Sequence, residues 1–162
     1  MPRMLHTLVA AAAVCALAAP AFADPDKGFL KKAIEGDNSE IQLGKIAEAK
    51  SGSREVREYG HMLVMDHSKH KADAMTMGQQ AGLKPSDGIA AEAKRESRKL
   101  DRLSGPAFDR EFASYMVKDH TKDIRDYEKQ SRKHDLTAGF ARQTLPTLHQ
   151  HLDTALRLRG HL

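Results

Sequence analysis

Between residues 26 and 158 the apolar residues return four times over in alternating steps of three and four, and this period commits the chain to long helices packed side by side. Residues 26–51 carry Phe29, Ala33, Gly36, Glu40, Leu43 and Ala47 on one stripe. Residues 54–81 carry Val56, Gly60, Leu63, His67, Ala74 and Met77, and residues 106–133 carry Phe108, Phe112, Met116, His120 and Tyr127. The last segment, 136–158, shows Phe140, Ala141, Leu145, Leu148, His151, Leu152, Ala155 and Leu158. Ser51-Gly52-Ser53 and Gly82 supply helix stops, and Pro106 suits a first helical turn. Aromatic residues are 5% with no Trp, which argues against a β-sandwich or barrel.

The connections set the order. Three residues separate the first two helices, whereas residues 83–105 form a long crossover with a loop at Lys84-Pro85-Ser86-Asp87-Gly88 and a short charged helix from Ala90 to Leu103. Two helical hairpins joined this way predict an all-α, ferritin-like four-helix bundle, with a simple up-and-down bundle as the alternative. An internal echo points the same way. Val64-Met65-Asp66-His67-Ser68-Lys69 matches Val117-Lys118-Asp119-His120-Thr121-Lys122 at an offset of 53, and the offset pairs Tyr59 with Phe112 and Leu63 with Met116.

Residues 1–23 differ in kind: Arg3, an apolar run from Leu8 to Ala19, and Ala21-Phe22-Ala23 read as a secretory signal peptide cut after Ala23. The run is too short to span a bilayer, so a single domain over residues 24–162, exported to the periplasm and without a transmembrane segment, is expected. Cys15 follows Val14, an unsuitable setting for lipid attachment, and falls in the removed segment. Any metal must then be held by His, Asp, Glu or Met. Losing Arg3 takes the net charge from +4 to +3, and the interspersed signs without aromatic interleaving give no nucleic-acid surface.

Glu40, His67, His120 and His151 interrupt the four apolar stripes, one per helix and each near its helix's midpoint. Side-by-side helices bring their midpoints to a common height, so these side chains should meet in one layer. A buried carboxylate among imidazoles needs compensation, because an unpaired buried charge costs several kcal/mol. Two readings follow: a protonated His paired with Glu40 in a hydrogen-bonded polar layer, or one divalent ion (Zn²⁺, Cu²⁺ or Fe²⁺) held by three nitrogens and a carboxylate. Asp66 and Asp119, each one residue before an inward His, lie about 100° off the stripe and suit a supporting shell or the surface.

Other constellations are weaker. Glu58-Tyr59-Gly60-His61 is the single Glu-x-x-His, where a di-iron bundle needs two, and it points away from the stripe. His67 and His70 lie among Met62, Met65, Met75 and Met77, a soft surface suited to copper, although methionine at helical spacing is commonly core filler. His149 is turned about 200° from His151, and His134 and His161 sit near helix ends. No triad, phosphate loop or catalytic carboxylate pair marks an enzyme.

The run Gly36-Asp37-Asn38-Ser39-Glu40-Ile41-Gln42-Leu43-Gly44, the two Asp-His motifs, Ser104-Gly105-Pro106-Ala107-Phe108-Asp109 and Leu145-Pro146-x-x-x-x-His151-Leu152 together resemble the bacterial exported family called domain of unknown function 4142, over about residues 27–158. The resemblance implies a ferritin-like helical bundle, periplasmic or, loosely, outer-membrane, and recurrent polar positions at Glu40, His67, His120 and His151. It implies no activity or partner. The leading expectation is a periplasmic bundle binding a divalent metal in its core; its rival is a non-catalytic envelope or stress-related interaction protein with a metal-free polar layer.

Overall fold

The computed structural model describes residues 23–162. The segment read as a signal peptide, apart from Ala23, and Cys15 lie outside the described residues. Within them the chain is all-helical: α1 (Lys27–Lys50), α2 (Arg54–Gln80), α3 (Ala91–Leu100), α4 (Gly105–Ser131) and α5 (Leu136–His161). The ends are set by local chemistry. Asp26 accepts from the Phe29 amide at 2.9 Å, Ser53 caps α2 and Asp135 caps α5, each satisfying a backbone donor that the helix leaves without a partner. Past α2, Gly82 adopts φ +79 and the Leu83 amide returns to the Gly78 carbonyl at 2.8 Å, a turn that a side chain would strain. α5 stays helical through an exposed Pro146.

α1 packs along α2, and α4 along α5, so the chain forms two helical hairpins whose apolar stripes face each other. Two clusters of buried apolar side chains result. One gathers Leu43, Val56, Tyr59, Leu63, Phe108, Phe112, Met116 and Leu158; the other gathers Leu30, Ile34, Ala74, Ile124, Tyr127, Phe140 and Leu148. The clusters fix the helix directions. α1 and α5 begin in the second and end in the first, while α2 and α4 run the other way. The crossover therefore has to carry the chain back along the molecule so that α4 can start where α2 started, and α3 lies against α1 and α4 on this return.

The crossover is tied to α1. Asn38 donates to the carbonyls of Ser86 and Gly88, both at 3.0 Å; Ser39 accepts from the Ala90 amide at 3.0 Å; Lys50 donates to the Leu100 carbonyl at 2.9 Å. α1 and α2 touch through bare backbone. A Cβ on Gly44 would lie 2.7 Å from the Gly60 carbonyl oxygen, and one on Gly60 equally close to that of Gly44. Glycine at both positions is thus a packing requirement. The methionines of α2 divide: Met62, Met75 and Met77 pack, partly buried, against the apolar clusters, and Met65 is exposed.

Candidate metal centre

Between the two apolar clusters lies a polar layer. Glu40 on α1, His67 on α2, His120 on α4 and His151 on α5 are all buried, at no more than 3% exposure. Each replaces the apolar residue its stripe would otherwise carry, and the shared height of the helix midpoints brings them together. His67 Nε2 lies 2.9 Å from Glu40 Oε2, His120 Nε2 3.2 Å from Glu40 Oε1, and His120 Nε2 3.2 Å from His151 Nδ1. Glu40 Oε1 and His67 Nε2 nevertheless make no hydrogen bond, because their neighbours are close but off the bonding direction.

The outward nitrogen of each ring is occupied by an acceptor. His67 Nδ1 donates to Asp37 Oδ1 at 2.9 Å, His120 Nδ1 to the Met116 carbonyl at 3.0 Å, and His151 Nε2 to Asp66 Oδ2 at 2.9 Å. An imidazole that donates outward through one nitrogen and is neutral presents a lone pair at the other. With all three rings neutral, the inward nitrogens are acceptors facing acceptors, gathered around the Glu40 carboxylate. A shared proton or a cation satisfies such a cluster.

Charge distribution follows from burial and neighbours. Burial pushes the Glu40 carboxyl up, but the imidazole of His67, and after it that of His120 where protonated, outweighs burial and holds Glu40 at about 2. Burial disfavours charge on His67, yet Glu40 and Asp37 raise it well above its ordinary value. His120 is pushed down by burial to about 4, and His151 is lowered by burial and by the charge on His67. Without metal, one proton sits on His67 between two carboxylates while His120 and His151 are neutral and point lone pairs at each other.

Asp66, expected either to support an inward His or to lie at the surface, reaches the outer nitrogen of His151 across the bundle. Asp119 brings a carboxylate oxygen within 4.8 Å of oxygens of Glu40 and Asp123, while the outer proton of His120 goes to the Met116 carbonyl. Asp37, and the pairing of His70 with it, were not foreseen from the sequence. His70 donates from Nδ1 to both Asp37 oxygens at 2.8 Å, stacks on Phe140 and receives Tyr127 Oη at its Nε2 at 3.3 Å. Asp37 lies three residues before Glu40 and His70 three after His67, so a stripe one residue wider would have included both. His61, His134, His149 and His161 are exposed, His61 pairing with Glu48 at the surface.

Among the described residues, three groups bring side chains to metal-binding separations: His67, His120 and His151; Asp37, His67 and His70; and Glu40, Asp119 and Asp123. A cleft of about 500 Å³ between α1 and α4 reaches Glu40 and His67 from the surface. No helix among the described residues is long and apolar enough to cross a membrane.

No curated protein matches the chain. Among solved structures the fold is similar to the crystal structure of a DUF305 fragment from Deinococcus radiodurans, with a TM-score of 0.77 and 18% identity over 88% of this chain and 100% of that one. At that identity the likeness speaks for the fold alone. The family described as domain of unknown function DUF4142 matches residues 11–158, nearly the whole sequence, and the chain belongs to it.

Proposed function

We propose that this protein is an exported, periplasmic metal-holding protein, its residues 1–23 a cleaved signal peptide, in which a ferritin-like four-helix bundle binds one divalent transition-metal ion through Glu40, His67, His120 and His151. The ferritin-like reading is supported by the helix directions and by the long return between α2 and α4. The observation that carries the metal reading is the set of outward hydrogen bonds. All three rings are held by acceptors in the pattern that orients metal-bound histidines, leaving His67 Nε2, His120 Nε2 and His151 Nδ1 directed inward.

Ligands 2.0–2.1 Å from a tetrahedral ion stand about 3.3 Å from one another. The separations of 3.2 Å from His120 to both His151 and Glu40 are close to this, and the 2.9 Å between His67 and Glu40 opens with a small rotation. Three imidazoles and one carboxylate suit Zn²⁺, Cu²⁺ or Fe²⁺. Four protein ligands fill a tetrahedral shell and leave no position for substrate, so the site holds metal and performs no hydrolysis. Asp37 and Asp66 act as supporting acceptors.

The high proton affinity of His67 favours a second reading, in which Asp37, His67 and Glu40 form a proton-held polar layer and function lies on the charged surface as a non-catalytic envelope interaction. Calorimetric titration separates the two. On the metal reading Zn²⁺ binds the untagged chain near one per chain, and His120→Ala abolishes the heat. Absence of binding, or binding unchanged in His120→Ala, contradicts it.

A further inference from the structure

Asp119 and Asp123 stand four residues apart on α4, one turn from each other on the face toward α1, where Glu40 projects between them and the histidines. One oxygen from each of the three carboxylates lies within 4.8 Å of the others. Two aspartates so spaced on one helix repel each other when ionised and a buried third carboxylate aggravates this, so the arrangement costs stability unless protons or a cation neutralise it. Nearby lysine supplies little: among the described residues Asp119 makes no ion pair, and Asp123 has a single contact, to Lys122 at 3.4 Å.

Two independent features point to an ion. Glu40 is 1% exposed, and its Oε1, though 3.2 Å from His120 Nε2, has no hydrogen-bond partner. The three carboxylates also line the cleft between α1 and α4, whose walls carry eight acidic side chains against four lysines, although the whole chain is basic. An acidic cleft leading from the surface to an unsatisfied carboxylate gathers cations from solution.

We propose that Glu40, Asp119 and Asp123 form a second cation site, separate from the three histidines, that takes a hard divalent ion of the Mn²⁺ or Mg²⁺ class with water completing its shell. All three donors are oxygens, which suit Mn²⁺ and Mg²⁺ better than the nitrogen-rich centre does. Glu40 belongs to both sets, so it stands between the sites, but the second needs no ion at the first.

The test is a titration with Mn²⁺, reading the free-ion signal by electron paramagnetic resonance, on chain preloaded with Zn²⁺ and on metal-free His151→Ala. Both are expected to bind about one Mn²⁺ per chain, the first without releasing zinc. Asp119→Asn and Asp123→Asn, singly and together, should weaken Mn²⁺ binding by at least about tenfold while zinc content stays unchanged. Mn²⁺ that fails to bind the unsubstituted chain, displaces zinc, or binds the aspartate variants as tightly overturns the site. Failure of zinc to bind leaves the Mn²⁺ measurement on His151→Ala intact, so the two proposals fall separately.

Discussion

Asp37 and Asp66 orient two of the three inward histidines, so that His151, and His67 once its inner proton leaves, present a lone pair to the centre of the layer. Removing such an acceptor leaves the ligands in place but loosens their orientation, so Asp66→Ala should weaken Zn²⁺ affinity by about 10–100-fold, measured by competition with a chromophoric chelator. A neutral effect would mean that His151 takes no part. Glu96 gives a residue-scale test away from the centre. It is buried beside Glu111 with Oε1 unpartnered, and burial and then the Glu111 charge raise its carboxyl from 4.5 to about 7. The fold then binds more protons than the unfolded chain between those values, so stability falls as pH rises through that interval and levels off above it. Glu96→Gln should flatten that part of the stability curve, read by denaturant melts at a series of pH values. Glu40, His67, His120 and His151 were legible in the sequence because each breaks an apolar stripe. Asp37 and Asp123 were not, because Asp37 flanks Gly36 on the stripe's edge and Asp123 follows Lys122 in a run of mixed charge that reads as a solvated face.

Among the elements, the α1–α2 contact depends most sharply on composition. Gly44 and Gly60 let two backbones meet where a Cβ would come within 2.7 Å of a carbonyl oxygen, so Gly60→Ala has to push the hairpin apart. It should cost about 1–3 kcal/mol in urea unfolding, despite the better helix propensity of alanine. An unchanged or higher midpoint would show that the helices give way freely. The helix ends were readable from caps and stops such as Ser53, Gly82 and Pro106, since these act within one turn. Helix direction was less so: a crossover beginning at Leu83 is compatible with either bundle topology until the apolar clusters show which ends share a core.

At the scale of the molecule, a charged layer separates two apolar clusters that would otherwise merge into one core. Without metal this layer is an expense, and Glu40→Leu with His67→Leu should leave the chelator-treated protein equally or more stable to heat, whereas Glu40→Leu alone strands the proton on His67 and should destabilise it. With metal the order reverses, because an ion that binds the native state alone stabilises it in proportion to its affinity. The most direct test of the central claim is metal content by mass spectrometry on the chain from residue 24, purified without a His tag or chelators, beside the His67→Ala, His120→Ala double variant. About one Zn, Cu or Fe per unsubstituted chain, lost in the variant, is the predicted result; no such metal in the unsubstituted chain, or equal metal in both, contradicts it.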